Sequence, residues 1–578
     1  MTGGSSGLNA RIARTIGDIV LAIILNLYEL RLGVFTRIVT RPRLFLFFQM
    51  IRRIRMDIAH TLQECRIDAV LESMGIRSQS SRDLFKAQAA RWTTNPEILR
   101  ARSEAWRRLK AAPTHEWIWQ LGPLLENEAI LREMDPATAS ESQKEDWSQI
   151  LFTGEWASLN FIPFTLLYVA MSKIFLAPLI AWTMPFMTLI IPYFTLRIVY
   201  GLPITPEQYW ETIRPMIFGA AAREEGIQLR TLIQWGGMIV SYAHGMYLPY
   251  TNAVHCHKID QLMLKGSAAL IDTVSRLRAI ADVWVSYGLK KPWSFPDPEL
   301  YGDRRQVLAW VNGDPNLLPE IYRAIGQVEI TAAITMTAAL VPVQWQQSGT
   351  PYCKMVDAVD ALLPMDKRIP FTLTMGPTEH QVICTGPNRG GKSTFLRSTL
   401  TNLIFAQVWG VAFAKRCVLT PVEWIISSLR LEDRPGQESL FEREVSVAGE
   451  ILKRLRMGDT RGWVIIDELF HTTNPPDAAT ASQIFLQQLW SSERVTSIVS
   501  THLFSHAMTA PANVQRVCVD SEMVAETGKI RYKYQVISGI NTMSSVQELL
   551  MESEVMEPVD LDAFSLPLKT SEPDLEDE

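Results

Sequence analysis

Through residues 57–155 the apolar positions recur at helical spacing: Ile67, Val70, Leu71 and Met74, then Ile98, Leu99, Ala105, Trp106 and Leu109 behind Asn95-Pro96. A proline directly after a polar residue predicts a helix start at that point. The charged positions between them read as a solvated face. The pattern changes at Trp156, where an uncharged stretch runs to Ser172; Lys173 interrupts, and Ile174 to Leu196 is again uncharged. Each stretch is near or above the length that spans a hydrocarbon core as a helix. Pro163, Pro178, Pro185 and Pro192 would end soluble helices but are tolerated in a bilayer. Residues 156–200 therefore predict either a two-span hairpin or one span with a re-entrant partner, against a buried helical pair in a large soluble core. Two crossings would put the segments before and after the hairpin on one side, the cytosolic one.

The helical pattern resumes over residues 201–345. Ile259 to Tyr287 forms one long candidate helix, a Gly/Pro-rich break covers Gly288 to Asp303, and further helices are expected around Gln306 to Val311 and Leu318 to Leu340. Over residues 346–550 the pattern differs: short, wholly apolar runs, Val382 to Cys384, Trp463 to Ile466 and Val495 to Val499, alternate with helical segments, as buried parallel strands do. Residues 551–578 form an acidic tail without apolar periodicity, an expected disordered segment. Residues 1–56 carry nine arginines against two acids, Asp18 and Glu29, with apolar runs at Ile19 to Tyr28 and Leu44 to Ile51. Such a segment suits an anionic membrane surface, an organellar targeting peptide, or a helix packed on the rest of the protein.

At 578 residues the chain exceeds one ordinary core. Mean hydropathy of +0.05 is slightly high, and the excess is local to the stretches above. A net charge of −5 gives no global nucleic-acid signature, so any basic partner surface must be regional. The six cysteines are scattered without a paired CxxC frame, which speaks against a disulfide scaffold and for a reducing compartment. His255-Cys256-His257 has no second ligand cluster at zinc spacing, so a structural role is expected for it.

The chemistry concentrates in Gly386-Pro387-Asn388-Arg389-Gly390-Gly391-Lys392-Ser393-Thr394. Four residues separate the first glycine from Gly391-Lys392-Ser393, the Walker A spacing, with an apolar run before it and a helical pattern after it. Backbone N–H groups of such a loop curl around phosphate oxygens, Lys392 can reach the β/γ-phosphates of ATP, and Ser393 can ligate Mg²⁺. Downstream, the apolar run ending in Asp467-Glu468 is a Walker B pattern: Asp467 would hold Mg²⁺ through water and Glu468 would orient or deprotonate the attacking water. The run ending in Ser500-Thr501-His502 would put a histidine where a γ-phosphate can be sensed.

Together these segments resemble the MutS family of DNA mismatch repair ATPases. Thr385 to Thr394 is similar to that family's Walker A segment, with Gly-Pro-Asn before the paired glycines. Ser439-Leu440-Phe441-Glu442-Arg443-Glu444 resembles its signature segment, Asp467 to Pro475 its Walker B and following loop, Ser500-Thr501-His502 its switch histidine, and Tyr534 to Gly539 the strand and turn that close its ATPase domain. The resemblance covers about Tyr352 to Leu550. More weakly, Asn95 to Arg102 and Ala324 to Glu329 resemble the first and last helices of the family's lever-like core domain. Two departures stand out: His471 and Thr472 occupy positions where the family usually has arginine and glycine, and no mismatch-reading domain with its Phe-x-Glu wedge precedes the core.

The resemblance implies an α/β P-loop ATPase domain of the ABC type behind a mostly α-helical core or lever domain. It also implies a homodimer or MutS-like heterodimer in which Ser439 of one subunit contacts, in trans, the γ-phosphate held by Lys392 and Ser393 of the other, so that ATP binding closes the pair and hydrolysis releases it. The helices would move arms that in the family clamp DNA. Arg100, Arg102, Arg107, Arg108 and Lys110 could supply DNA phosphate contacts or form a solvated basic face. The leading expectation is a membrane-associated, DNA-binding MutS-like ATPase. The alternatives are a membrane-anchored ATP-driven dimerisation switch acting on protein or lipid partners without DNA and, more remotely, a transporter-type ATPase.

Overall fold

A computed structural model describes residues 58–218, 229–297, 303–347, 349–429, 440–458, 460–472, 474–524 and 529–543. The Arg-rich segment 1–56, the acidic tail 551–578 and Ser439 lie outside the described residues.

The amphipathic pattern after Asn95-Pro96 folds as the helix Pro96–Ala111, with the Asn95 side chain accepting the Glu97 N–H at 2.9 Å. Before it lies the helix Gln79–Ala89, capped by Ser78, and far along the chain comes the helix Leu317–Met336. The two are joined by the buried Glu329 carboxylate, which accepts from Arg77 N (2.8 Å), Ser78 N (3.1 Å), Ser78 Oγ and Ser81 Oγ (2.6 Å). One turn away, Gly326 passes so close to Ser80 that a Cβ there would meet its carbonyl oxygen at 2.8 Å.

The expected hairpin over 156–200 is not what the chain forms. Gly154–Phe161 is a 3₁₀ turn, and a single helix then runs from Thr165 to Val199 without a break at Lys173. Pro178, Pro185 and Pro192 all lie inside it. A π-helical turn, Ser172–Leu176, precedes Pro178, and a widened turn of this kind relieves the clash of a proline ring with the carbonyl four residues back. The Lys173 backbone stays helical, and its amine reaches the Gln149 carbonyl. Among the described residues this is the one helix long and apolar enough to cross a membrane. The long helix expected over 259–287 is the C-terminal half of a far longer one, Leu229–Ser286, of 58 residues.

Among the described residues, 340–538 form three sheets. β1 (Leu340–Pro342) pairs with β6 (Val411–Phe413); β2 (Gln344–Trp345), β7 (Arg416–Leu419), β3 (Cys353–Ala358) and β4 (Phe371–Met375) form a four-stranded sheet in that order. The third has the order β12-β11-β5-β10-β9-β8, from β5 (Gln381–Thr385), β8 (Trp424–Ser428), β9 (Gly462–Ile466), β10 (Val495–Ser500), β11 (Val514–Met523) and β12 (Ile530–Ser538). Its neighbours are parallel except β11 with β12, and β5, β8, β9 and β10 are buried along their whole length. That burial on both faces is why these strands read as unbroken apolar runs.

One hydrophobic core continues from the helices into the sheets. Phe85 packs edge-on against Trp409 (4.7 Å) and tilted against Phe405 (5.5 Å), and Phe405 touches Phe413 (5.1 Å). Four indole N–H groups tie the same contact: Trp92 donates to the Val422 carbonyl, Trp106 to the Trp409 carbonyl, Trp345 to Ser103 Oγ and Trp409 to Gln88 Oε1.

Glu329→Ala leaves its ring of hydroxyl and amide donors without an acceptor in a buried place. A loss of about 3 kcal/mol is expected, with a smaller loss for Glu329→Gln, which keeps one acceptor oxygen; urea unfolding midpoints in mild detergent measure both.

Candidate functional site

Strand register assembles the site. In the parallel pair β9/β10, Ile466 lies beside Val499; in β10/β5, Ser500 lies beside Cys384. Asp467 is therefore level with Ser500, and Ser500 with the end of β5, from which the glycine loop departs. All these residues leave the same, C-terminal, edge of one sheet, with only β10 between the loop's strand and the acidic pair's strand.

The loop is shaped for an anion. Gly386 has φ 146°, Arg389 φ 63° and Gly391 φ 103°, so left-handed residues turn the backbone back on itself. A Cβ at Gly391 would meet the Tyr534 ring at 3.3 Å and one at Gly390 the Pro387 carbonyl at 3.0 Å, which leaves glycine as the residue that fits. The helix Lys392–Trp409 then starts with no side chain capping its first turn and no acid in it, so its leading N–H groups face the loop. Pro387 and Gly390 are buried, whereas Asn388, Arg389 and Ser393 are exposed at the mouth and Thr394 is half-buried. Lys392 is buried, and its Nζ donates to the Gly386 carbonyl (2.8 Å) and the Pro387 carbonyl (3.1 Å). Burial lowers its pKa, against the pull of Cys384, Glu468 and Asp467. A desolvated ammonium held only by carbonyl dipoles is poised for a stronger anionic partner.

On the facing strands Ser500 is the pivot. Its hydroxyl donates to Asp467 Oδ1 and accepts the Glu468 N–H at 2.9 Å. Glu468 itself is left-handed, φ 54°, a conformation a glutamate adopts only under such constraint. His502 Nε2 sits 2.9 Å from Glu468 Oε1, and that hydrogen bond is the main reason the carboxyl is held below its usual range, with burial opposing. The residue set fits a magnesium–triphosphate group: an uncapped helix start, a desolvated lysine, an exposed serine hydroxyl beside it, and two carboxyls level with the loop.

Five contacts were not foreseen from the sequence. Glu444, near the start of the helix Leu440–Met457, accepts from Thr472 Oγ1 at 2.7 Å and lies 2.9 Å from His471 Nδ1, which also sits 2.9 Å from the Glu468 carbonyl. The two departures from the family pattern thus tie the helix that follows Ser439 to the turn carrying Glu468. The Tyr534 ring lies against Gly391, and the Asn541 N–H reaches Thr385 Oγ1 at 3.0 Å, so residues after the sheet brace the loop. Loop-to-loop contacts of this kind leave no periodic trace in a sequence.

The basic cluster is mostly committed elsewhere. Arg102 donates to the Gln407 and Val408 carbonyls, Lys110 to the Thr337 carbonyl at 3.0 Å, Arg108 to the Gly288 carbonyl at 2.9 Å, and Arg107 pairs with Glu104 at 3.1 Å. Arg100 is exposed. Burial accordingly lowers the pKa of both Arg102 and Lys110.

Residues 382–555 match the family model described as MutS domain V. This part of the chain belongs to the MutS family. Among curated relatives, the DNA mismatch repair protein MutS of Treponema pallidum is 31% identical over 168 residues, 28% of this chain and 18% of the relative. The DNA mismatch repair protein MutS of Geobacillus thermodenitrificans is 24% identical over 184 residues, 31% of this chain and 20% of that one. Endonuclease MutS2 of Thermotoga neapolitana is 26% identical over 215 residues, 35% and 27% respectively. The match thus spans between 18% and 27% of the length of these relatives.

Ser500→Ala removes both the donor to Asp467 and the acceptor that fixes the left-handed Glu468. It is expected to cost about 1–3 kcal/mol, with Ser500→Thr milder, as read from thermal unfolding of the two variants.

Proposed function

We propose that the chain is a MutS-type ATPase that works as a dimer on DNA, carried at a membrane with its ATPase domain on the cytosolic side. The observation that carries this reading is the strand register that brings the glycine loop, Lys392, Asp467, Ser500 and Glu468 to one edge of one sheet.

In this reading the N–H groups of Gly386 to Thr394 hold the triphosphate of ATP, and Lys392 exchanges its loop carbonyls for phosphate oxygens. Ser393 and Asp467 are the side chains that would hold Mg²⁺, which when bound offsets phosphate charge. Glu468 orients a water and takes its proton. His502 keeps that carboxylate ionised and fixed. Ser439 completes the site across the dimer, and Glu444 links its helix to the Glu468 turn through Thr472 and His471. Because four of the five basic candidates on and beside the helix Pro96–Ala111 are held by carbonyls or Glu104, DNA contact falls to other surfaces. That observation also favours the second reading, a membrane-anchored dimerisation switch without DNA.

Lys392→Ala is expected to abolish ATP binding and nucleotide-dependent dimerisation, and unchanged ATP affinity would refute the phosphate role. Glu468→Gln is expected to bind ATP, accumulate the closed dimer and lose about 10²–10⁴-fold in turnover. For pH, the Glu468 carboxyl is depressed in the folded site, so its interaction is present above the ordinary carboxylate range and is lost as pH falls through the lowered value. His502→Ala returns the carboxyl toward its usual range, and the acid limb of the turnover–pH profile is expected to move to higher pH. Retention of the purified chain on homoduplex, mismatched and branched DNA, titrated with salt, tests the DNA assignment. Binding to none of the three at low salt leaves the switch and removes DNA.

A further inference from the structure

We propose that the front half of the 58-residue helix, residues 231–254, is the second arm of a membrane-crossing hairpin whose first arm is the helix Thr165–Val199. The lever helix of the ATPase core and a transmembrane helix are then one continuous rod. The inference rests on the membrane association proposed above and goes beyond it by naming the second span, which sequence periodicity did not pick out.

The two helices pack side by side, and Lys173 near the start of the first and Cys256 of the second meet at Gln149. From Ile174 to Leu196 and from Thr231 to His257 neither carries an Asp, Glu, Lys or Arg. At about 1.5 Å per residue these 23 and 27 residues extend about 35 and about 40 Å, enough to cross a hydrocarbon core of about 30 Å with tilt. Apolar side chains are open on both arms: Ile180, Phe186 and Ile191 on the first, Ile239, Val240 and Leu248 on the second, with Val240 67% exposed. A soluble core helix would bury such residues; none of the first arm's most apolar window is buried.

Both ends of the pair carry an interfacial layer. At the core-side end Lys173 and Cys256 share Gln149 as partner, Lys173 donating to its carbonyl and Cys256 Sγ to its Oε1 at 3.1 Å, and His255 Nε2 sits 2.9 Å from Asp146. At this end the charged residues of both arms therefore begin at one level, Lys173 on the first and Lys258 on the second. At the far end the helix Pro206–Phe218 folds back so that Tyr209 Oη donates to the Leu189 carbonyl at 2.7 Å, with the Tyr193 and Tyr209 rings 5.3 Å apart, and Tyr200 is exposed close by. Aromatic rings at that depth are what a headgroup boundary selects. The connection beyond, residues 200–230, has three arginines against four glutamates, which does not make a DNA-clamping tip. Gln234, His244 and Asn252 make the second arm more polar than the first, with His244 and Asn252 exposed, so it falls short of the apolarity that marks out Thr165–Val199 and crosses at a higher cost, as the partner of that first arm.

A lipid bilayer covers these faces in this reading, and a second copy of the hairpin is the competing partner. The test is electron paramagnetic resonance of the full chain in vesicles of phosphatidylcholine with about a quarter phosphatidylglycerol. Single nitroxide labels go on Ile180→Cys, Val240→Cys and the water-exposed control Lys265→Cys; the six native cysteines are buried. ATP binding by each variant reports that it is folded. Oxygen collides with labels in lipid and a soluble nickel chelate with labels in water. Positions 180 and 240 are expected to favour oxygen over the chelate by at least about tenfold relative to position 265. Lipid exposure at 180 with water exposure at 240 overturns the second arm while leaving membrane association standing, and water exposure at both overturns the two together. Low collision with either reagent at 240 assigns that face to a second copy and overturns the lipid-facing arm.

Discussion

Parallel strands hydrogen-bond in fixed steps, so once Ile466 is beside Val499 and Ser500 beside Cys384, the next residue on each strand has no freedom of level. Asp467 and Glu468 must emerge at the height where the β5 chain turns into its glycine loop. The side chains then need only fine adjustment, and Ser500, on the strand between, supplies it with one hydroxyl used as donor to Asp467 and acceptor from Glu468. A one-residue slip of β9 against β10 would send the carboxyls to opposite faces of the sheet. The wholly apolar composition of these strands prevents that slip, because each is buried on both sides and any shift would expose or overpack a face. Site geometry is thus a by-product of core packing, with hydrogen bonds refining what burial has already placed.

The same core would carry a displacement at this edge into the helices. Phe85, Phe405, Trp409 and Phe413 form one aromatic contact between the helical part and the sheet part, and around it the Trp92 and Trp106 indoles and the Arg102 guanidinium end on backbone carbonyls of the other part. Close-packed interiors transmit displacement because they cannot compress. Arg102 and Lys110 serve here as struts whose charge is spent on carbonyl dipoles, which is why charge counting along the helix Pro96–Ala111 overstated its capacity for phosphate.

What could be read from the residues alone divides by range. Strands β5, β9 and β10, the loop helix and the capped helix at Pro96 were legible because burial periodicity and capping are local signals. So was the convergence of loop and acids, since each follows a buried strand. The interruption read at Lys173 does not divide the helix: a lone lysine in an apolar run looks like a boundary, yet its long side chain reaches out to Gln149 while the backbone stays helical. The full length of the helix Leu229–Ser286 was hidden because Gln234, His244, Pro249 and Asn252 interrupt its apolar pattern without breaking its hydrogen-bonding. The link from Glu444 to His471 and Thr472 joins residues from a helix and a loop, and only the folded chain brings them together.

A rod of 58 residues, about 87 Å long, has consequences for any nucleotide-driven change in the core. Its C-terminal half is packed among the core helices through Val274, Leu277, Ile280 and Trp284, all buried, so it cannot rotate or slide there without repacking the core. If its other half lies in a bilayer, the surrounding lipid resists vertical movement, since lifting the Lys173 and Asp146 layer into hydrocarbon would desolvate charge. Tilt costs far less, because the hydrophobic length exceeds the membrane thickness and can absorb it. The motion such a rod passes on most easily is therefore angular. An ATP-driven closure of two core domains would be felt in the membrane as a change in the crossing angle of two hairpins, and the lateral order of the membrane would in turn bias the closure, since a coupling free energy acts equally in both directions.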